Sequence, residues 1–456
     1  VLEKLKDIAN QDTQIELTRG EIGKPLLYLT FPVLITNLLQ TAYNLVDTFW
    51  LGRVSTDALA AVGFVFPILF LFISAGIGLS IAGSIMVAKN EGSDDRESAN
   101  RAASQTLLYT SFFSILIGLI GYISAEWVIT FMGAEKEVIP LATSYLEIVS
   151  LGMILTFGFS VFKSLLRGYG DTFTPMVIMA GSVMLNMILD PLLIFGWSVF
   201  PELGIEGAAI ATLISRGLAF CIGLYILFSG FKGLKISPRL MIPDIKMFTK
   251  TLKLGLPASV EIMTRALSVN AILFIVGMFT TPVVAAYGIV TRIYSAVYLP
   301  SIAVSRSVET MTAQNYGAEK MDRVVKTNKL AARYSFIVLA VFGAFCMIFA
   351  NPILGLFTDN PDVIRIGSDF LLILGATFGF IGSKSAYNGG LRGLGKTSAA
   401  AVIALIALWF VRVPFAYFSI DFIGETGVWW AFAISNILGA VIAYHWFYSR
   451  EMKKLL

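Results

Sequence analysis

Apolar residues run along this chain in blocks of about 20 or more, the length that carries an α-helix across a hydrocarbon core of roughly 30 Å. Twelve such windows stand out, at 26–51, 59–87, 103–124, 138–162, 175–197, 207–228, 254–278, 283–309, 334–350, 363–383, 399–420 and 427–448. Gly and Pro inside several of them are compatible with membrane helices, because neighbouring helices and polar side chains satisfy the backbone groups they free. The first window is too long for the apolar core of a secretion signal, and acidic and basic residues are mixed before it, so it reads as a permanent span.

A repeat at an offset of 225 residues organises these windows. Leu166-Arg167-Gly168-Tyr169-Gly170-Asp171-Thr172 recurs as Leu391-Arg392-Gly393-Leu394-Gly395-Lys396-Thr397. In the same register Pro32 matches Pro257, Ala60-Ala61-x-Gly63 matches Ala285-Ala286-x-Gly288, and Ala88-x-Asn90-x-Gly92 matches Ala313-x-Asn315-x-Gly317. Val138-Ile139 likewise matches Val363-Ile364. Each half holds six spans, an even number, so both halves start on the same side of the membrane. The expected fold is an all-α polytopic membrane protein with twelve transmembrane helices in two parallel-repeat six-helix lobes. The expected division is a cytoplasmic N-terminal segment at 1–25, an N-lobe at 26–228, a cytoplasmic linker at 229–253, a C-lobe at 254–449 and a cytoplasmic tail at 450–456.

Composition agrees: 56% of the 456 residues are apolar and 14% charged, against roughly 25% charged in soluble domains. Of the 34 Lys and Arg residues, 26 fall on one side, counting 88–101, 163–174, 229–253, 312–333 and 384–398 among the loops of that side. The positive-inside rule makes that side, with both termini, cytoplasmic, and the location a cell membrane. One histidine (His445) and two cysteines (Cys221, Cys346) leave no material for a histidine triad, a zinc site or a haem attachment. The cysteines read as small core residues. Nucleic acid is not expected as a partner.

The repeat also serves as an internal control. Asp47 maps onto Ile272, Asp190 onto Phe415 and Asn186 onto Val411, so the scaffold does not require these polar groups. A carboxylate in a bilayer costs at least about 2.5 kcal/mol, and its default reading is functional. Thr36, Gln40, Tyr43 and Asp47 share one helix face, and Asn186 and Asp190 are i, i+4. Both aspartates fall in the outer half of their spans, where they can share a cavity and bind a proton or Na⁺. The structural alternatives are Asp47 snorkelling at a helix end and Asp190, before Pro191, as a turn residue. Pro32 deletes a backbone hydrogen bond low in the first span and permits a hinge there. Glu261 and Arg265 are i, i+4 and read either as a buried ion pair or as a second titratable site in the C-lobe. Gly390 to Thr397 satisfies the P-loop pattern, but it joins two apolar helices, so nucleotide is not expected.

On Pro32 with Asn37-Leu38, Tyr43-Asn44-Leu45-Val46-Asp47-Thr48, the two Leu-Arg-Gly turns and Asn186-x-x-x-Asp190-Pro191, the chain resembles the multidrug and toxic compound extrusion (MATE) transporters, within them the prokaryotic branch similar to DinF. The resemblance implies a monomeric proton- or sodium-driven antiporter, without cofactor, that expels bulky, often cationic amphipathic compounds through a cavity between two lobes. It also implies a coupling network of Asp47, Asn186, Asp190, Gln40, Tyr43 and a sixth-span hydroxyl that maps to Thr212, with Ala208 as the other candidate place. The alternatives are a flippase for a lipid-linked precursor, for which Arg265, Arg292 and Arg412 are the candidate anion-binding groups, and an intramembrane aspartyl enzyme.

Overall fold

The computed structural model describes residues 16–197 and 200–452; residues 1–15 of the expected N-terminal segment and 453–456 of the expected tail lie outside them. Among the described residues every regular element is helical. Span 1 is Gly23–Leu51, span 2 Thr56–Gly92, span 3 Arg96–Phe131, span 5 Phe173–Ile194 and span 6 Gly204–Ser229. Span 7 is Ile245–Val276, span 8 Thr281–Gly317, span 9 Met321–Ile348, span 11 Thr397–Ile423 and span 12 Glu425–Ser449. Spans 4 and 10 are bent pairs, Val138–Leu151 with Met153–Tyr169 at 49° and Pro361–Gly375 with Phe378–Gly393 at 46°. The bends fall at Gly152 and Thr377, the repeat offset again.

Helices overrun the apolar windows, chiefly at the end of the bundle nearest the chain termini. Span 2 continues to Gly92, span 8 to Gly317 and span 10 to Gly393, while span 9 begins at Met321. An apolar window records the thickness of the hydrocarbon core, whereas backbone hydrogen bonding persists once the side chains turn polar. The segments 88–101, 163–174, 312–333 and 384–398, counted as loops from their charge, are therefore largely helix. The Leu166-Arg167-Gly168 and Leu391-Arg392-Gly393 stretches are last helical turns rather than connections. After these stretches the chain reverses at Gly170 and Gly395, whose φ of +114° and +76° lie in the region that favours glycine. The Asp171 and Lys396 N–H groups close these caps on the carbonyls of Leu166 and Leu391 at 2.9 and 2.8 Å. The P-loop look-alike is thus a helix end with its cap.

Spans 1–6 and 7–12 form two lobes with apolar cores of their own, and further apolar contacts join them where Leu26 and Leu29 of span 1 pack into the C-lobe and Ile81 and Ile85 of span 2 meet Ala258 of span 7. Spans 2 and 8 cross between the lobes near the terminus end. A Cβ on Gly92 would lie 1.9 Å from the Gln314 carbonyl oxygen, and one on Gly317 would lie 1.9 Å from that of Lys89. Both pairs are related by the repeat offset, so the crossing is reciprocal. The same end is tied by side chains. Gln314 Nε2 donates to the Gly168 and Tyr169 carbonyls at 3.0 and 3.2 Å, and Arg323 reaches the carbonyls of Leu17, Arg19 and Gly20 at 2.6–3.2 Å. The connection before span 7 is anchored on span 3: Arg101 pairs with Asp244 at 2.7 Å, and Gln105 Nε2 donates to the Leu240 and Ile242 carbonyls. The Met247 and Lys246 N–H groups and the Arg101 guanidinium hold the Asp244 carboxyl below the usual carboxylate range. Of the two cysteines, Cys346 is buried as expected, but Cys221 is exposed on the outer surface of span 6.

Candidate functional site

Inside the N-lobe, three helices bring a set of oxygen atoms together. Tyr43 and Asp47 occupy successive turns of span 1, Asn186 and Asp190 successive turns of span 5, and Thr212 lies on span 6. Asp190 sits within its helix, which runs on through Pro191 to Ile194, and is 0% exposed; it is not a turn residue. Asn186 Nδ2 donates to Asp190 Oδ1 at 2.9 Å, and Thr212 Oγ1 lies 3.5 Å from Asp47 Oδ2. The two carboxyl groups are neighbours. Four buried oxygens remain without a hydrogen-bond partner: Asp47 Oδ1, Asp190 Oδ2, Asn186 Oδ1 and the Tyr43 hydroxyl. Buried polar atoms are normally satisfied, so four orphans in one cluster mark a place for a donor or a hard cation.

Around this cluster the other sequence candidates take different places. Gln40 Nε2 donates to Asn44 Oδ1 at 3.3 Å, turned to its own helix rather than to the carboxyl pair. Pro32 is buried within an uninterrupted helix, and Thr36 Oγ1 donates to its carbonyl at 2.8 Å. Ala208 is buried in the apolar core, which leaves Thr212 as the sixth-span residue beside Asp47. One neighbour carried no sequence assignment: the Arg216 guanidinium lies 5.1 Å from the Tyr43 ring centroid. Its place one turn after Thr212 on the same face was the available signal.

A separate cavity of about 900 Å³ lies between the lobes. Span 1 reaches both places, since Thr36 and Asn37 line the cavity while Asp47 lies further along the same helix. Its lining includes the apolar side chains Phe66, Phe70 and Leu71 of span 2, and Tyr298 of span 8, whose ring centroid lies 4.4 Å from the Arg265 guanidinium. The lining also carries Lys163, Arg167, Arg265, Arg306, Lys384 and Arg392. Of the three arginines considered from the sequence for binding an anion, only Arg265 lines the cavity. Arg412 is buried in the C-lobe, where its Nε donates to Ser435 at 2.8 Å and its Nη2 to Asn436 at 3.0 Å.

Glu261 also pairs differently from the i, i+4 expectation. Arg265 lies 3.7 Å away, but Arg392 Nη1 sits 3.0 and 2.9 Å from the two Glu261 oxygens. Arg392 also donates from Nε to Glu309 at 2.8 Å and from Nη2 to Ser305 at 2.7 Å. Glu309, 0% exposed, takes a further bond from Arg306 at 3.1 Å and faces Arg167 of the other lobe at 3.9 Å. Glu261 is therefore part of a shared arginine-rich cluster. Among the described residues, no group of three or more His, Cys, Asp or Glu side chains is placed to hold a metal ion.

Comparison with known proteins gives this architecture its family. Residues 32–192 and 257–418 each match MatE, one match per half, and the matches start at the repeat offset of 225 residues. The chain belongs to the MatE family. MATE proteins are membrane transporters of the multidrug-efflux type rather than enzymes, and this chain is accordingly a transporter. It is 30% identical to the probable multidrug resistance protein YoeA of Bacillus subtilis over 92% of this chain and 93% of that one. It is 29% identical to the FAD transporter of Shewanella oneidensis over 94% of this chain and 95% of that relative. A crystal structure of MATE in the bent conformation superposes with a TM-score of 0.90 at 25% identity, covering 96% of this chain and 97% of that one.

Proposed function

We infer that this MATE transporter exports a small amphipathic organic compound in exchange for H⁺ or Na⁺, with the Asp47 and Asp190 carboxyls as the cation site. The observation that carries this reading is the set of four orphaned oxygens inside the N-lobe, apart from the interlobe cavity. Two adjacent carboxyls in a low-dielectric pocket repel one another when both are ionised. A shared proton, or one Na⁺ held by carboxylate, amide and phenol oxygens, relieves that repulsion.

Loading the pair changes how span 1 packs against spans 5 and 6, and span 1 also forms part of the cavity wall. Pro32, which leaves the Tyr28 carbonyl without its helical donor, supplies a point about which that helix bends. Cation binding and substrate binding are thus linked through one helix. Alternating access follows when the lobes rock about the crossing of spans 2 and 8. Placing both termini in the cytoplasm makes the conformation described here, sealed at the terminus end, the outward-facing one. The protein acts as a monomer in the cell membrane.

The test is substrate flux in proteoliposomes with a pH gradient and a sodium gradient imposed separately. Flux driven by one of the two supports the reading, and flux that ignores both overturns it.

A further inference from the structure

The charge of the interlobe cavity was not readable from the sequence and bears on what enters it. Six cationic side chains line the cavity, against one carboxylate, Glu261, with Glu309 directly behind. Both carboxylates are already engaged. Glu261 is held by Arg392 and Arg265, and Glu309 by Arg392 and Arg306 with Arg167 at 3.9 Å. Six basic side chains against two carboxylates leave a formal excess of four basic groups around the cavity.

Lys163 of the N-lobe and Lys384 of the C-lobe stand out within that excess. Neither has a carboxylate within 4.0 Å among the described residues. Lys384 is only 7% exposed, and Lys163 places its ammonium 4.9 Å from the Phe159 ring centroid. Removing an ammonium from water without an anionic partner is costly, and an anion arriving at either lysine relieves that cost. The repeat supplies the same control that singled out the aspartates. Lys163 maps onto Asn388 and Lys384 onto Phe159, so neither lysine is required by the scaffold.

We propose that the interlobe cavity binds an amphipathic organic anion carrying two or more negative charges, with Lys163 and Lys384 as its charge contacts, one from each lobe. Phe66, Phe70 and Leu71 of the lining take the apolar body, and its lysine and arginine side chains take the phosphate or carboxylate groups. With one lysine on each lobe, an anion long enough to reach both would touch both lobes at once, and its arrival or release would bear on how the lobes sit. The proposal names the substrate class for the export reading and rests on it.

The test uses two dyes on one xanthene scaffold with opposite charge, fluorescein (an aromatic dianion near neutral pH) and rhodamine 6G (a cation). Binding to the purified full-length protein in detergent is read by fluorescence anisotropy with no gradient present. Fluorescein is expected to bind about tenfold or more tightly than rhodamine 6G, a difference of about 1.4 kcal/mol. Lys384→Gln and Lys163→Gln should each weaken fluorescein about tenfold without weakening rhodamine 6G, while Lys136→Gln, on an exposed connection, leaves both unchanged. Tighter binding of rhodamine 6G, or fluorescein affinity unmoved in both folded lysine variants, overturns the proposal. Because binding is measured without a gradient, gradient-independent flux in proteoliposomes defeats the export reading alone, and a preference for the cation defeats this one alone.

Discussion

Glu309 is fully buried with Arg306, Arg392 and Arg167 around it, and its charge is what makes that concentration of guanidinium groups tolerable. Removing one member of a buried ion cluster leaves the others uncompensated, which costs about 3–5 kcal/mol. Glu309→Gln should therefore destabilise the protein by about that amount, read as an earlier thermal unfolding transition in detergent. An unchanged transition would show that water already compensates the arginines. The sequence exposed some of these residues and hid others for a physical reason. Asp47, Asn186 and Asp190 lie well inside apolar windows and break the repeat, so each is visible against its mate. Glu309 closes its apolar window beside Arg306, where a carboxylate looks like an ordinary membrane-boundary residue. Arg392 was hidden inside a motif that reads as a turn. Arg216 sat in plain view, but only the folded structure puts it over Tyr43.

Among the elements, spans 2 and 8 make the tightest crossing between the lobes, beside the packing of span 2 on span 7 and of span 1 on span 8. The reciprocal contacts of Gly92 with Gln314 and of Gly317 with Lys89 leave no room for a side chain at either crossing point. Gly92→Val or Gly317→Val forces the helices apart there and should shift the protein away from the conformation sealed at the terminus end. Spin labels at the exposed positions 93 and 319, introduced as Ser93→Cys and Glu319→Cys, would report a longer distance in either variant and a loss of flux. An unchanged distance would mean that the crossing does not hold the lobes. Both glycines were visible as part of a repeated motif, but their role was not, since close approach of two backbones leaves no mark beyond the small residue itself. The number and order of the spans were legible because hydrocarbon thickness dictates the apolar windows. Helix ends were not, because polar residues continue a helix as readily as they end it outside the bilayer.

For the whole molecule, the two-lobe plan followed from the repeat alone, and the family match falls in the same register. The charge of the space between the lobes did not follow. Lys163, Arg167, Lys384 and Arg392 were all counted as loop charges that orient the chain, and the overrunning helices instead bring them to the cavity wall. Position along the chain says on which side of the bilayer a basic residue begins, but not whether its helix turns it toward water or toward a partner lobe. The scale of the whole protein is also where the proposed cation site and the cavity are linked in this mechanism, since span 1 is common to both. The most direct measurement of that linkage is gradient-driven flux by purified Asp47→Asn and Asp190→Asn proteins in liposomes, with thermal unfolding as the check on folding. Each variant keeps the shape of the side chain while removing its charge, so both should unfold like the unaltered protein and lose gradient-driven flux. Undiminished flux in both variants would contradict the carboxyl-pair mechanism.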